Sequence, residues 1–162
     1  MINEGELAPN FTLQADDGSP VSLRNYKGKK VVLYFYPKDE TPGCTTEALG
    51  FKEAVAEFEK EGAVILGVSI DSVESHRKFK EKHELPFALL SDPEATVLKL
   101  YDVWKQKSLY GRTFMGTERT TFVVDEKGVV AKVYRKVKPK EHAQTCLLDL
   151  KASPSLKDLR VY

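Results

Sequence analysis

Three short runs limit the possible folds of this chain more than any other feature: VVLYFY at 31–36, AVILGVSI at 63–70 and TTFVVD at 120–125. Each is β-branched, aliphatic or aromatic at most positions instead of alternating with polar residues, the pattern of a strand covered on both faces. Such strands need helices packed above and below them. A fourth run, 129–134, follows the third across Glu126-Lys127-Gly128, a turn signal, so the last two strands are expected as an antiparallel hairpin and the central sheet as mixed.

Between the first two strands, the segment 45–61 places Ala48, Phe51, Val55 and Phe58 at steps of three and four, one apolar face of a helix that stops at Gly62. Further helices are expected at 72–84, 93–101 and 139–151, with Pro93 and Pro139 near their starts. The turn DDGSP at 16–20, between FTL and VSL, suggests a small N-terminal β-hairpin. This order, β-α-β, then helices, a hairpin and a closing helix, is that of an α/β thioredoxin-like sandwich. A chain of 162 residues suits one domain spanning 1–162. The end, 152–162, interrupted by Pro154, is expected to be a loosely docked tail.

Hydrophobic residues make up 41% and charged residues 30%, a globular rather than disordered or membrane balance. The net charge of +1 provides no global field for nucleic acid or anionic lipid. The basic run KVYRKVKPK at 132–140 lacks a base-reading motif and reads as a solvated face. The N-terminal residues have no signal-peptide pattern and no segment reaches membrane-spanning length, so a cytoplasmic protein is expected, with no membrane or nucleic-acid partner.

The only cysteines are Cys44 and Cys146. His76, His83 and His142 show no ligand spacing with them, so they read as ordinary surface or helix residues and no metal is expected. Cys44 falls between the first strand and the first long helix, where ligands gather in open α/β sheets. A helix N-terminus there favours the thiolate over the thiol. Thr41, Gly43, Thr45 and Thr46 surround it with small, polar residues that match a core position poorly. Cys44 therefore reads as a nucleophile, with a buried apolar cysteine as the alternative.

The segment from Pro37 to Cys44, PKDETPGC, resembles the P-x-x-x-T-x-x-C signature of the peroxiredoxins, and FYPKDETPGCTTE is similar to their bacterioferritin comigratory (Q-type) branch. The resemblance extends through GELAPNFTL, ILGVSIDSVESHRKF, LYGRTFMGTERTTFVVD and KVKPKEHA, and so covers nearly the whole chain. It implies a peroxidase that reduces hydrogen peroxide and organic hydroperoxides through a sulfenic acid on Cys44, without a cofactor. It further implies that Arg119 holds the thiolate and stabilises charge on the departing oxygen. Thr41 would hydrogen-bond the peroxide, the N–H groups of Gly43 and Cys44 would align it, Pro37 would shield the pocket, and Glu47 would join the supporting polar network. Tyr110, Phe114 and Met115, in an irregular glycine-punctuated loop, are candidates to wall the pocket or anchor the loop.

Most relatives carry a resolving cysteine. The two family positions for it match Leu49 and Lys80 here, so neither is available. Cys146 lies on an apolar stripe with Ala143, Leu147 and Leu150, which reads as core rather than as a resolving residue. A one-cysteine cycle follows, resolved by thioredoxin, glutaredoxin or a low-molecular-weight thiol, in a chain expected to be a monomer. The competing readings are a thioredoxin-like thiol–disulfide oxidoreductase, for which a C-x-x-C sulfur is missing, and a non-enzymatic binding or chaperone-like module.

Overall fold

The computed structural model describes residues 1–152, so the tail beyond residue 152 lies outside the described residues. The strands are β1 (Thr12–Ala15), β2 (Pro20–Ser22), β3 (Lys30–Phe35), β4 (Ala63–Ser69), β5 (Ala88–Ser91), β6 (Trp104–Leu109), β7 (Arg112–Thr117), β8 (Thr120–Val124) and β9 (Val130–Tyr134). The helices are α1 (Pro42–Lys60), α2 (Val73–His83), α3 (Thr96–Leu100) and α4 (His142–Ala152), with a 3-10 turn at Leu23–Tyr26.

Seven strands form one mixed sheet in the order β2-β1-β5-β4-β3-β8-β9, and β6 and β7 form a separate two-stranded ribbon. At its centre, β3 pairs parallel with β4 and antiparallel with β8. The lack of alternation in 31–36 has the expected cause. Val32, Tyr34 and Tyr36 enter a cluster with α1, α2 and α4, while Val31, Leu33 and Phe35 enter a second cluster with Phe11, α3 and Tyr101 on the opposite face. Both faces of β3 are dry from Val31 onward, so every side chain from Val31 to Phe35 is apolar or aromatic.

Packing against β3 explains a glycine in β4. Gly67 lies opposite Tyr34 in the parallel register, and a Cβ at Gly67 would stand 2.9 Å from Cζ of Tyr34. The space goes instead to the ring, which stacks on Phe51 of α1 at 4.7 Å between centroids.

The expected elements form, with several differences, one being that the third helix is the short Thr96–Leu100, so Pro93 lies before it instead of near its start. The first helix begins at Pro42, three residues before the apolar period starts, because a proline at the first helical position needs no N–H partner. The last begins at His142 instead of at residue 139. The loop before Arg119 is not irregular: β6 and β7 make a two-residue hairpin through Tyr110 and Gly111, both at positive φ. That turn geometry is the one that matches strand twist, and glycine at its second position permits it. β5 also escapes the periodic reading because ALLS is only four residues long. No helix among the described residues is long and apolar enough to cross a membrane.

Candidate active site

The first turn of α1 is built from Thr41, Pro42, Gly43 and Cys44. Thr41 occupies the N-cap with extended backbone, but its hydroxyl caps nothing and donates instead to the carbonyl of Lys38 at 2.8 Å. The helical ladder begins with Thr45 N–H to Thr41 O at 2.9 Å. Upstream of that bond, the N–H groups of Gly43 and Cys44 have no intrahelical acceptor and mark the positive end of the helix.

Cys44 is almost fully buried, at 1% exposure, which corrects the expectation drawn from its polar neighbours. Those neighbours lie toward the surface, while the Cys44 side chain turns inward to the α1–α4 face of the core. Its sulfur still meets charge. Arg119, which directly precedes β8, places Nη2 3.4 Å from Cys44 Sγ and donates from Nη1 to Glu47 Oε1 at 2.7 Å. The close approach depends on Gly43, where a Cβ would lie 3.2 Å from Arg119 Nη2 and 3.3 Å from Pro139 Cγ.

Glu47 follows Cys44 by three residues and is buried at 1% exposure; its Oε2 has no hydrogen-bond partner among the described residues. Burial raises its carboxyl from 4.5 to about 7, outweighing the attraction of Arg119. Burial also works against the charge of Arg119, but Glu47 and Cys44 offset it and leave the guanidinium pKa raised. The fork geometry of arginine allows one side chain to engage sulfur and carboxylate together.

Pro37, half-buried, follows β3 and starts the segment leading to Cys44. Within that segment Asp39 is buried and accepts hydrogen bonds from Tyr36 Oη at 2.6 Å and Ser75 Oγ at 2.8 Å, with His76 Nδ1 at 2.7 Å. His76 is wholly buried, contrary to its reading as an ordinary residue, and sequence spacing could not reveal this because its partners lie on other elements. Asp39, Asp71 and His76 bring three ligand-type atoms within 4.8 Å. All are engaged by protein groups: Asp71 Oδ2 accepts from Asp39 N–H and Ser69 Oγ, and His76 Nε2 donates to the Leu90 carbonyl at 2.9 Å. The cluster is a closed hydrogen-bond network.

Cys146 lies in the core at zero exposure, and burial raises its thiol to about 12. Its sulfur is 3.4 Å from His142 Nε2, which also meets Thr121 Oγ1 at 2.8 Å. The expectation that no histidine neighbours a cysteine is thus corrected: residues four apart on a helix share a face, a signal present in the spacing itself. Burial lowers the imidazole of His142 to about 4. Lys80 pairs with Asp16 at 3.1 Å. Tyr110 is 96% exposed at the ribbon tip, and Phe114 and Met115 are also exposed. In the basic run, Lys132 and Arg135 face Asp149 and Glu118.

A sulfur facing an arginine at an open helix N-terminus, on a thioredoxin-like sheet, can be compared with known proteins. The model of the AhpC/TSA family matches residues 5–133. Peroxiredoxin Bcp of Bacillus subtilis is 52% identical over 150 residues, 93% of this chain and 96% of that protein. The chain belongs to the peroxiredoxins, in their Bcp/Q branch. This peroxiredoxin superposes on the bacterioferritin comigratory protein of Xanthomonas campestris with a TM-score of 0.84, at 45% identity over 88% of this chain and 90% of that one. It also matches a cysteine-to-serine variant of PrxQ from Xylella fastidiosa with a TM-score of 0.90, at 38% identity over 94% and 97% of the two chains. The peroxiredoxin is accordingly a thiol-dependent peroxidase with a thioredoxin-like fold, acting on hydroperoxides at the expense of a thiol reductant.

Proposed function

We propose that the peroxidase reaction runs through a sulfenic acid on Cys44 and that an external thiol completes the cycle. The carrying observation is the contact of Arg119 Nη2 with Cys44 Sγ at the open end of α1. The Cys44 thiolate attacks one peroxide oxygen, the O–O bond breaks, the sulfur is oxidised to S–OH, and the departing oxygen leaves as water or an alcohol after taking a proton. Charge moves from sulfur to the leaving oxygen during this step, and Arg119 with the Gly43 and Cys44 N–H groups supplies positive potential already in place.

Thr41 has a defined polarity in this reading. Its hydroxyl hydrogen is held by the Lys38 carbonyl, so toward the substrate Oγ1 presents lone pairs and accepts from the peroxide O–H. Pro37 restricts the entering chain and limits water access, and Glu47 orients the guanidinium. Hydrogen peroxide and organic hydroperoxides fit this site because only the O–O–H group is read. The Xanthomonas relative is described by its alkyl peroxide reduction activity.

Resolution falls to an outside sulfur because Leu49 and Lys80 carry none and Cys146 is a buried, protonated thiol. Thioredoxin, glutaredoxin or a low-molecular-weight thiol fills that role, in a monomeric, cytoplasmic enzyme that needs no cofactor, metal or nucleic acid. Cys44→Ser is expected to abolish peroxide consumption, and a sulfenic-acid trap should label wild-type Cys44 after one equivalent of peroxide. Turnover in Cys44→Ser would remove this assignment.

A further inference from the structure

The peroxide site occupies one end of the central sheet, where β3 leads into Cys44. At the other end, beside Val31 at the start of β3, the surface opens into a groove of about 300 Å³. The six residues of β3 put about 20 Å between the two ends. The groove's volume lies at the lower limit of small-molecule sites.

Three segments wall this groove: 7–10, the turn 23–29 and the β8–β9 turn at 124–128. Backbone hydrogen bonds join them to one another and to the sheet. Ala8 N–H donates to Gly128 O at 2.9 Å, Gly28 N–H to Glu126 O at 2.8 Å, and Leu23 N–H to Phe11 O at 3.2 Å. The walls are therefore in place before any ligand arrives, and little ordering is needed on binding.

The lining joins two chemistries. Leu23, Val31 and Val124 give it a buried aliphatic floor, and Leu7, 72% exposed, adds apolar surface left open to solvent. Beside this floor are Arg24, Lys27, Lys29 and Lys127, all exposed and none ion-paired with a described residue. Lys27 reaches over the β8–β9 turn, with its Cε 3.9 Å from the place a Cβ would take at Gly128. One acid, Asp125, lines the groove, and its Oδ1 already accepts from the N–H groups of Lys127 and Val129 at 2.9 Å each. Four cations against one engaged carboxylate is a local excess in a chain whose net charge is only +1. Open aliphatic surface beside unpaired cations is complementary to an anion carried on an aliphatic body.

We propose that this groove binds a free single-chain alkyl anion of the fatty-acid type, at a second site separate from the peroxide site. The chain lies along Leu7, Leu23, Val31 and Val124, and the head group meets the cationic rim. Tyr26 is the only aromatic residue in the lining, so the groove suits an alkyl chain better than a stacked ring system.

Isothermal titration calorimetry on the full chain, with decanoate below its micelle concentration, tests the site. Decanoate should bind one per chain, more weakly as salt is added, and decyltrimethylammonium should not bind. Octanoate should bind about tenfold more weakly than decanoate, because each pair of buried methylenes is worth about that factor. Cys44→Ser should bind as the wild type does. Leu7→Asp, and Lys27→Glu combined with Lys127→Glu, should each weaken decanoate at least tenfold while peroxide consumption stays at the wild-type rate, which also shows that the variants are folded. Should one of them misfold, the other decides. Lys78→Glu, on α2 at the opposite face of the sheet, should leave binding unchanged. No binding to the wild type, equal binding of the two decyl compounds, undiminished binding in the groove variants, or an equal loss in Lys78→Glu overturns the proposal. Binding to phosphatidylglycerol vesicles without binding of free decanoate overturns it as well, and makes the patch a membrane contact.

Discussion

At the residue scale, the unusual group is a buried carboxyl that shares Arg119 with the Cys44 sulfur. Glu47 has a native pKa of about 7 against an ordinary value of 4.5, with burial as the main cause. Between those values the native state holds the proton and the unfolded chain does not, so stability falls as pH rises through this window, and the cost is complete above about 7. Glu47→Gln removes that dependence. In urea denaturation at pH 5 and pH 7.5, the wild type should lose about 2 kcal/mol more than the variant on going to the higher pH. Parallel curves for the two proteins would show that Glu47 is as well solvated natively as when unfolded. The site was partly legible in sequence at this scale. The run from Pro37 to Cys44 and the arginine of ERTTF stand out as motifs, and the structure puts Cys44, Arg119 and Glu47 together. Asp39 and His76 were not legible, because their pairing spans 37 residues and depends on where α2 lands.

At the element scale, what the sequence shows depends on how much of an element's surface is covered. β3 and α1 announce themselves because one is dry on both faces and the other has a long apolar stripe. The β6–β7 ribbon was misread because its residues are largely exposed and carry no burial period; the Tyr110-Gly111 turn was its only local signal. The contact between β3 and β4 makes a sharper point. Gly67 reads as a weak spot in a strand, yet it is the residue that admits the Tyr34 ring between the sheet and α1. Gly67→Ala adds a methyl 2.9 Å from Cζ of the Tyr34 ring, which Phe51 holds in its stack, so it should destabilise by about 1–3 kcal/mol, measured as a lowered urea midpoint with unchanged slope. An unchanged midpoint would mean that Tyr34 can swing aside without loss. Because Tyr34 stacks on Phe51, seven residues beyond Cys44 in α1, the same variant should lower peroxidase activity more than Val64→Ala on the same strand.

At the scale of the whole molecule, the central fact is that the two sulfurs share one hydrophobic cluster without being able to act alike. Cys44 faces Arg119, whereas Cys146 faces neutral His142 inside α4 and is kept protonated by burial. A disulfide needs its Cα atoms within about 7 Å and the sulfurs in bonding contact, with a thiolate as the attacking group. α4 packs closely on α1, with an added Cβ at Gly50 falling 3.5 Å from Ala143 Cβ, and Cys146, wholly buried in that seam and protonated, lacks the thiolate that attack on Cys44 would need. The proposed cycle therefore takes its second sulfur from an outside thiol. The rate at which the Cys44 sulfenate disappears should therefore rise in proportion to thiol concentration, and Cys146→Ser should leave the slope unchanged. Without thiol, excess peroxide should carry Cys44 on to sulfinic acid, because no second sulfur intercepts the sulfenate. Stopped-flow kinetics with intact-mass readout checks all of this. A decay independent of thiol concentration, ending in one Cys44–Cys146 bridge per chain, would make Cys146 the resolving residue and overturn the external-thiol cycle; a decay that rises with protein concentration would require two chains to pair.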